Sequence, residues 1–326
     1  MQSALVTGAT GFTGGALCEW LIKDGWRVTA FTRPSSSMER LVGLGADCRM
    51  LDITDQRQVM EHFPDVDVVF HIAAAYRAEL ADRDEFVRVN VGATENMLAA
   101  AKRNSVRRFV HCSTVGVQGN IEDPPADEDY RFAPADHYQR SKLDGELAAR
   151  RYFSEGLPGV VVRPTAIYGP GDTRFLKLFR AINSGAFVMI GNGRTLYHMN
   201  YIDDLIDGFM KASSDSRALG EVFTLGGKRH TSIAELVAEV AHVLGKRPPR
   251  FSIPIWPVLG AAVVCEKICN LGGWSPPLYP RRVEFFQMNR AFSIQKANKL
   301  LDYEPRFDLR TGLERTLAWY RKKGLL

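Results

Sequence analysis

The sequence predicts an α/β fold built on a doubly wound parallel sheet, and three observations carry that prediction. Short runs rich in β-branched residues recur through the first half: Ser3–Thr7, Arg27–Thr32, Cys48–Leu51, Asp67–Ile72 and Arg107–Cys112. Segments with apolar residues at helical spacing separate them, an alternation that produces parallel sheets. The first strand runs directly into Gly8, Gly11 and Gly14, and a helical segment, Ala16–Lys23, follows. Strand, glycine turn and helix form the front half of a βαβ unit.

Bulk properties bound the alternatives. A chain of 326 residues holds one large domain or two joined ones. Its 45% hydrophobic content supports a substantial core and argues against disorder. The net charge is +5, with both signs mixed along the chain, so nucleic acid is not an expected partner. Cys18, Cys48, Cys112, Cys265 and Cys269 are an odd, scattered set. They read as reduced thiols in a cytoplasmic protein, with no metal site and no disulfide frame. The N-terminus enters a strand at once, so no signal peptide is expected. The most apolar stretch, Ile253–Cys265, is about half the roughly 20 residues that a spanning helix needs. No stable membrane insertion is expected. The stretch reads as a core helix or pocket wall, with contact to a membrane surface as the alternative.

Taken in order, each element adds one part of a cofactor site. A helix N-terminus offers free backbone N–H groups and a positive dipole end, which suit a pyrophosphate. Glycines let the backbone come close to it. Gly8, Thr10, Gly11, Phe12, Thr13 and Gly14 are therefore candidate cofactor ligands. The second strand ends at Thr32-Arg33, where the adenosine ribose is expected, about 20 residues after the glycines. An acidic residue there would repel a 2′-phosphate. Arg33 instead favours NADP(H), with NAD(H) remaining possible. Asp52 and Ile53 end the third strand, and Ala73, Ala74 and Ala75 follow the fourth; small side chains there let a cofactor lie against the backbone. Phe86–Lys102 has helical periodicity. The fifth strand leads into Ser113-Thr114, and the next helix opens with Tyr138-Gln139-Arg140-Ser141-Lys142. Tyrosine and lysine four apart share a helix face. An ammonium beside a phenol favours proton exchange near neutral pH, and a Ser or Thr hydroxyl can bind the same substrate oxygen.

These residues together resemble the extended short-chain dehydrogenases/reductases, of the NAD-dependent epimerase/dehydratase type. The matching marks are Thr7-Gly8-x-x-Gly11-x-x-Gly14, Asp52-Ile53, His71-Ile72-Ala73-Ala74, Asn90, Ser113-Thr114, Tyr138-x-x-Ser141-Lys142 and the run Arg163 to Gly171. Tyr201 to Asp204, Phe223 to Gly227 and Leu301 to Pro305 extend the match over nearly the whole chain. The resemblance implies a Rossmann-type sheet with a smaller C-terminal substrate-binding domain. It implies that Gly8, Gly11 and Gly14 hold the pyrophosphate, Asp52 the adenine, and Pro164 a further part of the cofactor. Tyr138 becomes the general acid/base, and Lys142 binds the nicotinamide ribose and lowers the tyrosine pKa. The catalytic hydroxyl falls on Thr114, with Ser113 as the adjacent candidate. Asn90 either supports the site or is purely structural. Dimerisation through helices such as Phe86–Lys102 and Tyr138–Arg151 is implied as well.

Departures from the family pattern narrow the chemistry. Val115-Gly116 stand where dehydrating relatives carry Asp-Glu after the threonine, which argues against a 4,6-dehydratase. Ala166 replaces an asparagine, and Tyr197 replaces an arginine that pairs with a substrate diphosphate in many nucleotide-sugar enzymes. Arg174, Arg194 or Lys177 could supply a cation from nearby. Ala166, Arg174 and Tyr197 are thus candidate substrate residues. The combination resembles the 3β-hydroxysteroid/sterol-carboxylate dehydrogenase and dihydroflavonol-reductase-like branches. The expected organisation is 1–165 with 195–229 returning to it, and 166–194 with 230–326 over the substrate. The expected activity is hydride transfer between nicotinamide and a secondary alcohol or ketone of a hydrophobic or small 3-hydroxy/3-keto substrate. A nucleotide-sugar epimerase or reductase is the alternative, and a non-catalytic cofactor-binding protein the third.

Overall fold

A computed structural model describes residues 1–76, 83–249, 251–272, 274, 276, 280, 283 and 286–326. The thirteen described strands are β1 (Ser3–Thr7), β2 (Arg27–Thr32), β3 (Asp47–Met50), β4 (Val68–His71), β5 (Arg108–Cys112), β6 (Gly159–Pro164), β7 (Ala166–Tyr168), β8 (Met189–Ile190), β9 (Leu196–Tyr197), β10 (Met199–Tyr201), β11 (Val222–Leu225), β12 (Thr231–Ser232) and β13 (Ser252–Ile253). The α-helices are α1 (Phe12–Lys23), α2 (Glu39–Leu44), α3 (Gln56–His62), α4 (Arg83–Val87), α5 (Ala93–Arg103), α6 (His137–Ser154), α7 (Leu176–Asn183), α8 (Ile202–Ser214), α9 (Ile233–Val243), α10 (Ile255–Gly272), α11 (Gln295–Leu301) and α12 (Leu309–Lys322).

Seven strands form one parallel sheet in the order β11-β6-β5-β4-β1-β2-β3. The predicted Rossmann-type architecture is what the chain adopts. Strand residues alternate between two buried faces, as period-two side chains must. Ala4, Val6, Phe70, Val110 and Val162 face α1 and α8, whereas Leu5, Val69, Phe109 and Val161 face α3, α5 and α6. β1 pairs with β2 on one side and β4 on the other, so the chain reverses its winding between them. The crevice at the carboxyl ends of β1 and β4 is the place where such sheets bind ligands. β11 returns to the sheet edge beside β6. Three short pairs, β7 with β10, β9 with β12 and β8 with β13, lie outside it.

Two elements differ from the sequence reading. The helix expected at Phe86–Lys102 is α4, a π-helical turn at Arg88–Gly92, and α5. The wide turn carries Asn90, whose side chain is held by groups outside its own helix. Such insertions mark functional positions more often than plain helix does. The second difference is α10. Among its described side chains only Ala262 is buried, while Trp256, Val263, Val264 and Ile268 are exposed. The expectation of a core helix from Ile253 to Cys265 is corrected on this point. Hydropathy gives the composition of a helix but not whether another element covers its outer face. No helix among the described residues is long and apolar enough to cross a membrane.

Candidate active site

The glycine loop is tight for a steric reason at two positions. Gly8 has φ +70, and a Cβ there would stand 2.8 Å from the Ala73 nitrogen. A Cβ on Gly14 would stand 2.3 Å from the Gly8 carbonyl oxygen. The loop therefore lies against the end of β4, and α1 starts directly under the loop. Gly11, extended at the helix N-cap, places no side chain on the first N–H groups, and the first turn carries no acidic residue. Thr10 and Gly11 are exposed and Phe12 and Thr13 half-buried. A cradle that any Cβ would fill, with uncapped donors and a positive dipole end, fits a dinucleotide pyrophosphate.

A buried chain of hydrogen bonds fixes the adjoining strand ends. The Ile72 and Ala73 N–H groups donate to Thr7 Oγ1, each at 3.1 Å. Thr7 Oγ1 lies 2.9 Å from His71 Nδ1, and His71 Nε2 lies 3.0 Å from Thr94 Oγ1. The Thr94 hydroxyl donates to the Asn90 carbonyl, so Nε2 carries the imidazole proton and Nδ1 accepts from Thr7. Asn90 then grips the neighbouring loop. Its Oδ1 accepts from the Ala75 N–H at 2.8 Å, and its Nδ2 donates to Ser141 Oγ at 2.9 Å. Ser141 in turn donates to the Tyr138 carbonyl at 2.8 Å. Asn90 thus couples the Ala73–Ala75 loop to the helix that carries Tyr138.

The network requires a neutral imidazole. Burial, with a smaller contribution from Lys142, pulls His71 down to about 3. Burial also lowers His111, which stacks on His71 with ring centroids 5.7 Å apart, and pulls His198 down to about 4. All three stay neutral in the fold but protonate in the unfolded chain below about pH 6.5. Their contribution is therefore complete above that pH and lost as pH falls toward the depressed values. Denaturation between pH 7 and pH 5 is expected to show stability falling by roughly 2 kcal/mol in total for each histidine, most of it below pH 6.5. A flat profile over that range would contradict the neutral assignment.

α6 delivers the reactive side chains. Asp136 caps it, accepting from the Gln139 N–H at 2.7 Å, so Tyr138 falls in the first turn. Tyr76 and Phe86 meet the Tyr138 ring edge-on, with centroids 5.4 and 6.2 Å away. Burial pushes the phenol well above its ordinary value, Tyr76, Cys112 and Asp136 add to the rise, and Arg174 opposes it. Lys142 donates to the Cys112 carbonyl at 2.6 Å. Burial pulls its ammonium down, opposed by Cys112 and Glu146. In the protein by itself, burial acts on the phenol in the direction opposite to the lowering that the resemblance implies. Desolvation outweighs the neighbouring charges, and the phenol keeps its proton at neutral pH.

The two candidate hydroxyls are not equivalent. Ser113 is buried and donates to Glu146 Oε2 at 2.6 Å. Glu146 also takes a two-pronged ion pair from Arg163, at 3.0 and 2.6 Å, with both side chains fully buried. Thr114 is half-buried, and its Oγ1 accepts from the Gly116 N–H at 3.1 Å, which leaves the hydroxyl proton free to be given. A Cβ on Gly116 would touch both Thr114 Oγ1 and Gln139 Cγ at 3.3 Å, so the turn that carries Thr114 packs against the first turn of α6. The sequence reading passed over Glu146; a lone Glu inside a helix gives no sign of a buried partner.

The remaining candidates divide into two groups. Asp52 is exposed, accepts from the Thr54 N–H and hydroxyl at 2.9 and 2.8 Å, and faces Arg88 at 3.7 Å. Ile53 and Pro164 are buried. Arg33 is exposed, and its guanidinium has no hydrogen bond or ion pair among the described residues. On the substrate side, Arg174 pairs with buried Asp172 at 2.8 Å and lies over the Phe12 ring, 5.7 Å from its centroid. Arg174 also interacts with Tyr76 and Tyr138. Tyr197 lies near Arg290, Tyr76 and Arg174, and burial raises its phenol. Arg174 thus interacts with both Tyr76 and Tyr138, and Tyr197 with Tyr76, Arg174 and Arg290; Tyr76 and Arg290 carry no signal in the sequence that singles them out. Ala166 begins β7, half-buried, with its N–H on the His198 carbonyl at 3.0 Å. Arg194 and Lys177 are exposed, outside these contacts.

Comparison with known proteins agrees with this geometry. The family described as NAD dependent epimerase/dehydratase matches residues 4–226. A 3 beta-hydroxysteroid dehydrogenase/Delta 5-->4-isomerase of Mycobacterium tuberculosis is 30% identical, over 97% of this chain and 90% of the relative. The crystal structure of gox2253 is 28% identical with a TM-score of 0.84 over the whole of both chains. The UDP-glucuronic acid 4-epimerase from Bacillus cereus, in complex with NAD, is 25% identical with a TM-score of 0.75 over 99% of each chain.

Proposed function

The chain belongs to the NAD-dependent epimerase/dehydratase family of extended short-chain dehydrogenases/reductases, and from that premise we propose hydride transfer between NADP(H) and a secondary alcohol or ketone of a hydrophobic or small 3-hydroxy/3-keto substrate. The observation that carries this reading is the aromatic pair Tyr76 and Phe86 against Tyr138, with buried Tyr197 near Tyr76. Such a grouping suits a substrate with an apolar body and one oxygen to be held. The similarity to a hydroxysteroid dehydrogenase points the same way.

A bound nicotinamide gives or takes the hydride. Tyr138, protonated at neutral pH, gives its phenolic proton to the substrate oxygen in the reductive direction. Thr114 donates a second hydrogen bond to that oxygen. Lys142 holds the ribose hydroxyls with an ammonium that already donates to the Cys112 carbonyl. Gly8, Gly11 and Gly14 approach the pyrophosphate, Asp52 the adenine, and Thr10, Phe12, Thr13, Ile53, Ala73–Ala75 and Pro164 line the rest of the cofactor site. Segments 166–194 and 230–326 form the substrate side. A cytoplasmic homodimer through α4, α5 and α6 completes the reading.

Arg33 supports NADP(H): it is an exposed cation at the end of β2 with no hydrogen bond or ion pair among the described residues. Replacing Arg33 with Ala is expected to cut the NADP-over-NAD affinity ratio roughly tenfold to a hundredfold, the worth of one charge-assisted hydrogen bond. An unchanged ratio in cofactor titrations would remove this argument.

A second reading, nucleotide-sugar epimerisation, is favoured by one observation: Arg174 and Arg290 both act on Tyr197. Two guanidinium groups can hold a diphosphate where the expected arginine is missing. One assay separates the readings. Hydroxysteroids and simple ketones are expected to change the nicotinamide absorbance. Turnover of UDP-sugars without that change, by protein purified with its cofactor retained, would replace the first reading with the second.

A further inference from the structure

The outer face of α10 has the wrong polarity for a helix facing water. Trp256, Gly260, Val263, Val264, Lys267 and Ile268 recur at helical spacing on its exposed side, and only Lys267 among them is charged. Trp256 is 75% exposed, Val264 56% and Ile268 57%. The flanking Phe251 and Trp274 are 82% and 70% exposed. A surface helix normally turns its polar side outward, and a helix apolar all round is normally covered. Residues rimming this face have the composition of an interfacial segment, with aromatic side chains beside apolar ones.

Charge gives the identity of the cover. Residues 246–282 contain six of the chain's 42 basic residues and one of its 37 acidic ones, an excess equal to the whole net charge of +5. The rest of the chain carries no net charge, so the even mixing of charge expected from the sequence fails here, as it does with the opposite sign at residues 122–136, where six acidic residues meet one basic one. Two copies joined through the same face would bring two like-charged segments together, because a two-fold interface repeats one patch on both subunits. An anionic lipid surface attracts the same segment. With no helix able to span a bilayer among the described residues, the fitting placement is in the plane of the interface.

We propose that the face formed by Phe251, Trp256, Val264, Ile268 and Trp274 docks the protein on an anionic lipid surface, with Lys246, Arg247 and Lys267 among the described residues supplying the attraction. This holds whichever substrate the catalytic cleft accepts. The experiment is sedimentation of the purified full-length chain with vesicles of phosphatidylcholine alone, and with vesicles of phosphatidylcholine and phosphatidylglycerol in equal parts. Binding to the second is expected to be at least about tenfold tighter and to weaken with added salt. Trp256→Ser combined with Ile268→Ser is expected to abolish binding with an unchanged melting temperature, since both side chains are exposed. Lys246→Glu with Arg247→Glu is expected to reduce it. Three results overturn the proposal: no binding to either vesicle, equal binding to both, or binding that survives the double serine substitution. So does a dimer in light scattering that the double serine variant dissociates, because a second copy then covers the face.

Discussion

Tyr138→Phe is expected to bind cofactor within about twofold of the wild type and to turn over substrate roughly 10²–10⁴-fold more slowly, the usual worth of a positioned acid/base group. The substitution suits the site. Tyr76 and Phe86 pack on the ring by its edges and faces, contacts that phenylalanine keeps. Only the proton donor is lost, so the effect falls on kcat and not on the fold. The same burial that raises the phenol gives the sign of the pH dependence. A raised pKa keeps the proton-donating form in place as pH climbs toward the ordinary tyrosine value of about 10. The reductive rate should therefore stay level from neutral pH into the moderately alkaline range. Single-turnover measurements at several pH values, with a cofactor titration, test both parts. Turnover within about threefold of the wild type would remove Tyr138 from the mechanism.

Glu146→Ala is the second large effect, on stability. It is expected to cost about 3–5 kcal/mol, because Arg163 would be left charged, buried and without its partner. Arginine cannot relieve this by losing its proton. The guanidinium also donates to the Glu128 carbonyl at 2.9 Å, and Glu128 Oε1 accepts from the Thr224 N–H at 2.7 Å. One buried cluster thus ties the end of β5, the middle of α6, β6 and β11 together beneath the catalytic hydroxyls. Glu146→Gln, which keeps the shape and an acceptor, is expected to lose less. Denaturant unfolding of both proteins reads the difference, and a loss below about 1 kcal/mol in the alanine variant would show that the pair is relaxed by the surrounding structure.

Much of the site was legible because it rests on local rules. Gly8 and Gly14 follow from backbone geometry, and their spacing from a strand to a helix is written in sequence. Tyr138 and Lys142 share a face because helices repeat every 3.6 residues. Other parts rest on partners far away in the chain. Tyr76, Arg290 and Glu146 carry no local pattern that marks them. The choice between Ser113 and Thr114 depends on Glu146, which stands 33 residues from Ser113 and accepts the serine's hydrogen bond. Asn90 fits a helix by periodicity, yet it acts by reaching Ala75 and Ser141 across a π-helical turn.

By itself the sequence determined the fold class, the order of the strands and helices in the cofactor half, and the tyrosine and lysine that share one face of α6. These depend on periodicity, on glycine sterics and on short-range spacing, which a linear string records. Only the tertiary structure decided which hydroxyl is free, that burial pushes the Tyr138 phenol up, and that α10 turns its apolar side outward. Each of these depends on which surface is removed from water and by what. Burial is a property of packing between distant segments, and neither composition nor spacing encodes it.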